Sequence, residues 1–320
     1  MKIVFAKSFK VSGTTVADIL LKLSYFYGSY YDWKSKSIAF KDFETSISGN
    51  ISNFDIFVED ERWNFANIKK LIGEDSNYVT ILRNPVDQFE SMFHFMDLRE
   101  HYNVSSFEMF LNKLENNTIK DNRLLNFFGR NQLSFTLGFE PELFENDTAI
   151  DKFINEIDNQ FNLVMISDYF DESIILLKNL LRSHIGQMLY VPKLRRRTRK
   201  KHKISEKETV LLQKWLKADV KLYNTFRRKL ERSLTNRVRQ EAKTLQKLNS
   251  NLQDFCKAAE FFPPGKDSSQ RFGTYELHLI RSHRSNLLCD LYIGDSEEKF
   301  RTVQDTVSNA EEVQRLFYEL

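Results

Sequence analysis

The stretch Tyr78-Val79-Thr80-Ile81-Leu82-Arg83-Asn84-Pro85 decides the fold, because it joins a short apolar run to a helix start. Residues 78–82 have the β-branched and apolar composition of a fully buried strand. Pro85 suits the first turn of a helix, where its missing N–H would have no intrahelical partner. Arg83 is therefore expected at the carboxyl end of a strand, the edge at which open α/β sheets bind ligands. Ser91, about two turns into the helix, is expected on the face that looks back towards Arg83.

Predicted strands and helices alternate on both sides of this stretch. Residues 2–6 form a strand candidate, and the loop 7–15 then leads into a helix whose apolar residues recur at helical spacing. Further strands are predicted at 54–58 and 163–166. This alternation predicts an α/β fold with a parallel, doubly wound sheet flanked by helices. From Ser205 to about residue 259 the pattern is helical, so the C-terminal part is predicted to be helical.

Composition and charge limit the classes of function. The chain has 320 residues, of which 41% are apolar, enough for a sizeable core. Its net charge is only +3, but Lys193–Lys203 holds eight Lys/Arg and no acid, which leaves −5 (39 − 44) elsewhere. Such a run can bind nucleic acid or anionic lipid but is more often a solvated loop, and no nucleic acid partner is expected. Cys256 and Cys289 are too few for a disulfide scaffold, and one bridge between them is left open.

The sequence contains conflicting indications of the cellular compartment. The sequence has no run of the roughly 18 apolar residues that a membrane span requires, and its first residues are too short and polar for a signal peptide. Four N-x-[ST] sequons favour a secreted or Golgi setting, and they lie at Asn50, Asn103, Asn116 and Asn146.

The loop Lys10-Val11-Ser12-Gly13-Thr14-Thr15 has the residue types that hold a phosphate-like group before a helix. Backbone N–H groups and the positive helix end face the anion, hydroxyls add donors, and lysine neutralises charge. A nucleoside triphosphate loop requires G-x-x-x-x-G-K-[ST], and the chain has no Gly-Lys-[ST]. This argues against the alternative of a nucleotide phosphotransferase such as a kinase.

These two elements together resemble the donor site of sulfotransferases. The loop resembles their 5′-phosphosulfate loop, and Arg83 with Ser91 resembles the 3′-phosphate element that distinguishes PAPS (3′-phosphoadenosine 5′-phosphosulfate) from ATP. Within that class, residues 1–235 resemble the galactose 3-O-sulfotransferases, which include galactosylceramide sulfotransferase. The segments that carry this resemblance are 7–10 with 14–16, 78–85 with 90–91, 130–131 with 137–139, and 161–166 with 171–173 and 176–177.

The resemblance implies a P-loop-like sulfotransferase fold and transfer of a sulfuryl group from PAPS, without a metal. The acceptor is the 3-hydroxyl of a terminal galactose on a glycolipid or glycan. Lys10 would stabilise charge on the bridging oxygen, a role that Lys7 shares. The implied donor-binding residues are Lys7, Lys10, Ser12, Gly13, Thr14, Thr15, Arg83 and Ser91. A sulfotransferase domain over 1–235 would be followed by a helical extension and tail over 236–320.

The general base is the point at which this chain departs from the family pattern. The family has a His in an Asn-His-x-Arg motif, and the matching residues here are Glu59-Asp60-Glu61-Arg62. Asp60 is therefore the predicted base, a role worth about 10²–10⁴-fold in rate. An ionised Asp with a pKa of about 3.9 is a weak base unless burial raises that pKa. Glu59 or Glu61 as the base, or a homologue that binds PAPS without efficient transfer, are the alternatives.

Other expectations follow from the family. Its members are type II Golgi membrane proteins whose anchor precedes the first strand, so the chain is expected to be a luminal domain that lacks its anchor, or an incomplete gene product. Membrane association would then depend on that anchor. Phe9 stands where the family has His, which removes a polar contact near the sulfate. The run at 193–203 is a candidate cover for the 3′-phosphate. Independently of the family, His94 on the helix after Arg83 could reach the active site, but a lone His in Phe-His-Phe is more often packed and satisfied.

Overall fold

A five-stranded sheet forms the framework of the part of the chain that the structure describes. The computed structural model describes residues 2–27, 31–32, 56–59, 62–72, 75–119, 128–191 and 204–258. The strands are β1 (Ile3–Ala6), β2 (Tyr31–Asp32), β3 (Ile56–Glu59), β4 (Asn77–Leu82) and β5 (Leu163–Ile166). Their order in the sheet is β2-β3-β1-β4-β5, in which β1 pairs in parallel with β3 and β4, and β4 pairs in parallel with β5. The predicted parallel α/β sheet is confirmed.

Ten α-helices are described, and they alternate with the strands in the first half of the chain. They are α1 (Gly13–Tyr27), α2 (Phe65–Ile72), α3 (Pro85–Phe95), α4 (Phe107–Glu115), α5 (Gln132–Thr136), α6 (Asp147–Gln160), α7 (Phe170–Leu181), α8 (Glu206–Trp215), α9 (Lys217–Ser233) and α10 (Asn236–Ala258). The predicted helical C-terminal part is confirmed as α8 to α10. Helix α8 begins at the capping box that Ser205 forms with Glu208.

The chain packs as two units that interleave along the sequence. The first unit consists of Met1–Gly13, Asp32–Phe170 and Arg199–Ser233, and the second of Thr14–Tyr31, Asp171–Thr198 and Leu234–Leu320. The predicted domain boundary at residue 235 stays a prediction.

The first unit has an aromatic core built around α3. Phe89 and Phe93 are fully buried on this helix, and Phe110 of α4 lies 5.3 Å from Phe89 between ring centroids. Trp215 at the end of α8 contacts Phe89 edge-on, at 4.9 Å between centroids. Buried aromatic pairs of this kind add to the hydrophobic stabilisation of their burial. The cluster therefore fixes α3, the helix that follows Arg83.

The second unit contains a fully buried lysine. Lys22 of α1 is 0% exposed, donates a hydrogen bond of 2.8 Å to the carbonyl of Leu189, and lies 3.2 Å from Asp18. Lysine is almost never fully buried unless it is paired, so these partners explain its position. In the same unit, Lys178 and Arg237 hold the pKa of Glu241 below its usual range, mainly by hydrogen bonding to the carboxylate.

Several regions singled out in the sequence lie outside the described residues. They are the basic run 193–203, Cys289 and the tail from 259 onward. Among the helices that the structure describes, none is both long and apolar enough to cross a membrane.

Candidate functional site

The carboxyl ends of β1, β4 and β5 lie side by side, because the three strands are parallel neighbours. Lys7, Arg83 and Ser167 are the residues that directly follow these strands. The loop after β1 reaches the turn after β5, where the hydroxyls of Ser12 and Ser167 lie 3.1 Å apart. Ligands bind at this edge in open α/β sheets. The residues predicted from the loop and from Arg83 are thus brought to one edge of the sheet.

The loop between β1 and α1 has an unusual backbone. Lys10 and Ser12 adopt positive φ angles of 61° and 69°. This left-handed region is uncommon for residues other than glycine and concentrates at functional sites. Val11 between them is fully buried. Its burial anchors the loop and fixes the turn on both sides.

Two side chains from the β4–α3 connection hold this loop in place. Arg83 donates a hydrogen bond of 3.0 Å to the carbonyl of Lys10. Gln88 of α3, which is 1% exposed, donates one of 2.9 Å to the carbonyl of Phe9. The loop after β1 and the β4–α3 region are the two segments predicted to form the donor site, and they are therefore joined by direct hydrogen bonds.

Gly13, the first residue of α1, is required by the space around it. A Cβ atom at this position would lie 2.8 Å from Cγ of Lys7 and 3.4 Å from the carbonyl oxygen of Ser8. A Cβ at this position would displace the side chain of Lys7. Ser8 is 3% exposed, and its hydroxyl has no hydrogen-bond partner among the residues that the structure describes. A buried polar atom without a partner is uncommon in folded proteins.

Thr14 and Thr15 continue α1 after Gly13. The first turn of this helix contains no acidic residue. The partial positive charge at the helix N-terminus is therefore not offset by a carboxylate of that turn. This is the arrangement in which a helix end favours an anion.

The side chain of Lys10, the predicted catalytic lysine, extends to the end of α3. Its Nζ lies 3.9 Å from the ring centroid of Phe95, a cation–π contact. The neighbouring Phe9 ring meets Phe128 edge-on, at 5.0 Å between centroids. Lys10 is half-buried, so its ammonium lies on an apolar surface beside the loop.

Arg83 and Ser91 occupy opposite ends of the first two turns of α3. Both are half-buried, Arg83 just before the helix and Ser91 within it. Glu90 beside Ser91 is 2% exposed and lies 3.4 Å from Nε2 of His94. His94 packs at 5.8 Å from Phe107 between ring centroids, which agrees with the packed role expected for it.

The turn after β5 belongs to the same edge and was not singled out from the sequence. Oδ2 of Asp168 accepts a hydrogen bond of 3.3 Å from the backbone N–H of Asn84 and one of 3.0 Å from the hydroxyl of Tyr223. Burial, and then the charge of Asp168, raises the pKa of Tyr223. The position of Ser167 and Asp168 directly after a buried strand was the available signal. Tyr223 lies in α9, and nothing local marks it.

The residue predicted to act as the general base follows β3. Asp60 and Glu61 are outside the described residues, as is the side chain of Glu59. The chain is described again at Arg62. Asp60 as the general base therefore stays a prediction.

Arg62, the last residue of the matched motif, is a structural anchor. Its guanidinium donates hydrogen bonds to the carbonyls of Phe135, Gly138 and Phe139, at 3.1 to 3.2 Å. It also lies 2.8 Å from the carboxylate of Glu140. These contacts fix the chain immediately after the predicted base.

The segment that Arg62 contacts is held from its other side by Asp219 of α9. This carboxylate is fully buried and accepts hydrogen bonds from the N–H of Leu133 at 3.0 Å, and from the N–H and hydroxyl of Ser134 at 2.7 and 2.6 Å. Asn131 accepts a bond of 3.1 Å from the N–H of Asp219 in return. The motif residues Arg130-Asn131 and Leu137-Gly138-Phe139 therefore belong to a buried framework.

Comparison with known proteins identifies a match over most of the chain. The model of the family described as Galactose-3-O-sulfotransferase matches residues 1–263. A galactosylceramide sulfotransferase from Bos taurus is 26% identical over 269 residues, which cover 79% of this chain and 63% of that protein. A galactose-3-O-sulfotransferase 2 from Sus scrofa is 26% identical over 273 residues, covering 79% and 68%.

A further relative is more similar over a shorter stretch. A galactose-3-O-sulfotransferase 3 from Mus musculus is 31% identical over 208 residues, which cover 61% of this chain and 48% of that protein. The chain thus spans between about half and two thirds of the length of these relatives. The matched region includes the loop after β1, the β4–α3 connection and the β5 turn.

Proposed function

The chain belongs to the galactose-3-O-sulfotransferase family, and we propose that it transfers the sulfuryl group of PAPS to the 3-hydroxyl of a terminal galactose on a glycolipid or glycan. The observation that carries this proposal is the hydrogen bond from Arg83 to the carbonyl of Lys10. It joins a loop suited to a phosphosulfate to the element suited to a 3′-phosphate. The names of the relatives support galactose and galactosylceramide as acceptors.

The residues at the carboxyl edge of the sheet fit the donor. Gly13 allows Lys7 to pack against the start of α1, and the φ angles of Lys10 and Ser12 shape the loop around that helix end. The 5′-phosphosulfate would be held by the loop residues Lys7, Lys10, Ser12, Gly13, Thr14 and Thr15. Arg83 and Ser91 would hold the 3′-phosphate, since a guanidinium is well suited to bind phosphate.

Catalysis would depend on positioning and on charge stabilisation, as in the related phosphoryl transfer. The donor supplies the sulfuryl group, which leaves the 5′-phosphate and forms a bond to the galactose 3-oxygen. Lys10, with Lys7 beside it, stabilises the negative charge that develops on the bridging oxygen. The proton of the acceptor hydroxyl passes to the base, for which Asp60 is proposed. The expectation that no metal takes part stays a prediction.

The setting of the reaction follows from the family in the same way. A galactose-terminated lipid or glycan acceptor implies the Golgi lumen, where such acceptors are built. The sequons at Asn103, Asn116 and Asn146 are consistent with a luminal protein.

Nucleotide binding tests the donor assignment. Calorimetry should show that adenosine 3′,5′-bisphosphate binds at least about 10-fold more tightly than AMP, because only the former reaches Arg83 and Ser91. Equal affinities would refute the assignment of these two residues.

Turnover tests the activity. Transfer of labelled sulfate from PAPS to galactosylceramide and to lactose should be seen with the wild type, and the better acceptor indicates lipid or glycan specificity. Asp60→Ala should lower kcat about 10²–10⁴-fold while bisphosphate binding is retained. Bisphosphate binding without any turnover by the wild type would instead indicate an inactive homologue.

A further inference from the structure

The backbone at the start of α3 has little capacity left for an anion. The N–H of Asn84 is bonded to Asp168, and Pro85 has no N–H. The N–H of Val86 donates 3.0 Å to the side chain of Asn84 itself. A helix N-terminus normally offers these groups to a phosphate. Here the N–H groups of Asn84 and Val86 are used within the protein, so a phosphate at the start of α3 is expected to be held chiefly by side chains.

Asp168 takes the position that an anion would occupy at this helix end. Its carboxylate is exposed, yet Oδ2 is fixed by two donors, the N–H of Asn84 and the hydroxyl of Tyr223. Tyr223 is 3% exposed and belongs to α9, so it is a rigid support. Asp168 therefore links a buried tyrosine of α9 to the residue that directly follows Arg83.

We propose that Asp168, supported by Tyr223, is a positioning residue for the 3′-phosphate of the donor. It holds the start of α3 in place and occupies the helix end, so that the 3′-phosphate is directed to the side chains of Arg83 and Ser91. This inference rests on the proposed function, because it concerns the 3′-phosphate of that donor. The turn after β5 would therefore contribute to the preference for a donor with a 3′-phosphate, in addition to the loop after β1 and Arg83.

The proposal predicts that substitution of Asp168 changes the binding affinities of two nucleotides by different factors. Adenosine 3′,5′-bisphosphate and AMP share the adenosine and the 5′-phosphate and differ in the 3′-phosphate. If Asp168 holds the start of α3 in the position that Arg83 requires, its loss weakens the binding of the bisphosphate more than the binding of AMP. A merely structural contribution of Asp168 would change both affinities by the same factor.

The test is calorimetry on the full chain with both nucleotides. Asp168→Ala is expected to lower the ratio of bisphosphate to AMP affinity about 3- to 10-fold, and Tyr223→Phe to lower it in the same direction by a smaller factor. Asp168→Asn keeps an oxygen that accepts both hydrogen bonds and, like Asp168→Ala, removes a negative charge that repels the phosphate, so it should preserve or raise the ratio. The comparison of these two uncharged variants therefore isolates the effect of the hydrogen bonds. Tyr169→Phe is the matched control, because the Tyr169 hydroxyl donates to Glu231 and not to Asp168. It should leave the ratio unchanged.

The outcomes separate this inference from the proposed function. A wild type that does not discriminate between the nucleotides refutes the 3′-phosphate site itself, and the inference falls with it. If the wild type discriminates, the inference is overturned when Asp168→Ala leaves the ratio unchanged or lowers both affinities equally. It is also overturned when Asp168→Asn lowers the ratio of bisphosphate to AMP affinity as much as Asp168→Ala does. Thermal unfolding of each variant confirms that folded proteins are compared, and Asp168 is exposed enough for its variants to fold.

Discussion

Two segments of the first unit that carry part of the family resemblance differ in how their backbone groups are used. The loop 7–13 has two residues with positive φ, two lysines and a buried serine hydroxyl beside a helix start. The segment 131–139, which includes α5, is almost entirely buried, and Asp219 and Arg62 bond several of its backbone groups. The first segment is the one proposed to bind an anion, whereas the second is held by buried hydrogen bonds. Residues that match the family motifs thus include members of a buried framework as well as candidates for the donor site.

The difference has a physical cause. Buried backbone N–H and carbonyl groups require partners, and Asp219 and Arg62 supply them where no regular ladder exists. The loop 7–13 instead has its carbonyls at Phe9 and Lys10 bonded by Gln88 and Arg83. With carbonyls turned towards these donors, the loop can present N–H groups and cationic side chains to a ligand. Substitutions in the two segments should therefore have different consequences.

Removal of the Asp219 carboxylate should have the largest effect on stability. Asp219→Ala leaves the N–H groups of Leu133 and Ser134 and the Ser134 hydroxyl buried without their acceptor. The free energy of unfolding is expected to fall by about 3–5 kcal/mol, measured by urea denaturation.

Asp151→Ala is the control for this change. Asp151 is an exposed carboxylate that forms a surface ion pair of 2.9 Å with Lys221. Its loss should cost about 0–1 kcal/mol. Equal losses for the two variants would contradict the framework role of Asp219.

Neutralisation of Lys10 should have the converse effect, on rate and not on stability. Lys10→Gln keeps part of the aliphatic stem but removes the ammonium group that contacts the ring of Phe95. Loss of one preorganised electrostatic contact is expected to lower kcat about 10²–10³-fold, measured as sulfate transfer from PAPS. The unfolding midpoint should change little, because Lys10 is half-buried and the contact is near the surface. A rate within a fewfold of the wild type would exclude Lys10 as the catalytic cation.

The comparison also shows which features could be predicted from the sequence. The strand before Arg83, the start of α3 at Pro85 and the loop after β1 were predictable, because local composition and turn chemistry determine them. The roles of Asp219, Tyr223 and Gln88 were not, because each acts through a contact with residues that are distant in sequence. A buried carboxylate in α9 has the same local pattern as an exposed one. Only the packing of the helix decides between them.

A pair of glycine substitutions provides a matched test of the two segments. A Cβ at Gly138 would lie 2.8 Å from the carbonyl oxygen of Trp63, at a φ of +98°, and a Cβ at Gly13 would lie 2.8 Å from Cγ of Lys7. Gly138→Ala meets rigid backbone in a left-handed conformation and should cost about 2–3 kcal/mol of stability. Gly13→Ala meets a side chain that can move, so it should cost about 1 kcal/mol and displace Lys7.

The readouts for these two variants are thermal unfolding and bisphosphate affinity. Gly13→Ala should weaken bisphosphate binding about 10-fold, whereas Gly138→Ala should leave the affinity of the folded protein unchanged. The contrast between the segments would be wrong if Gly138→Ala weakened binding as much as Gly13→Ala.

The smallest effects are expected at Asn84, because this one residue both caps α3 and lies beside the proposed donor-binding residue Arg83. Its side chain caps α3 by accepting the N–H of Val86, and its own N–H is bonded to Asp168. Asn84→Ala should lower the free energy of unfolding by about 1 kcal/mol, measured by denaturation. Asn84→Asp keeps the cap, since Asp is as good an N-cap as Asn, but places a charge next to Arg83.

The two variants at Asn84 separate capping from electrostatics. Asn84→Asp should retain stability yet weaken bisphosphate binding about 3- to 10-fold at low salt, because its carboxylate repels the 3′-phosphate. The loss should diminish in part as salt is raised, since ions weaken a repulsion between charges that water still reaches. Asn84→Ala should show no such salt dependence. If Asn84→Asp bound the bisphosphate as tightly as the wild type at low salt, the 3′-phosphate would not lie at the start of α3, and Arg83 would serve only to hold the loop.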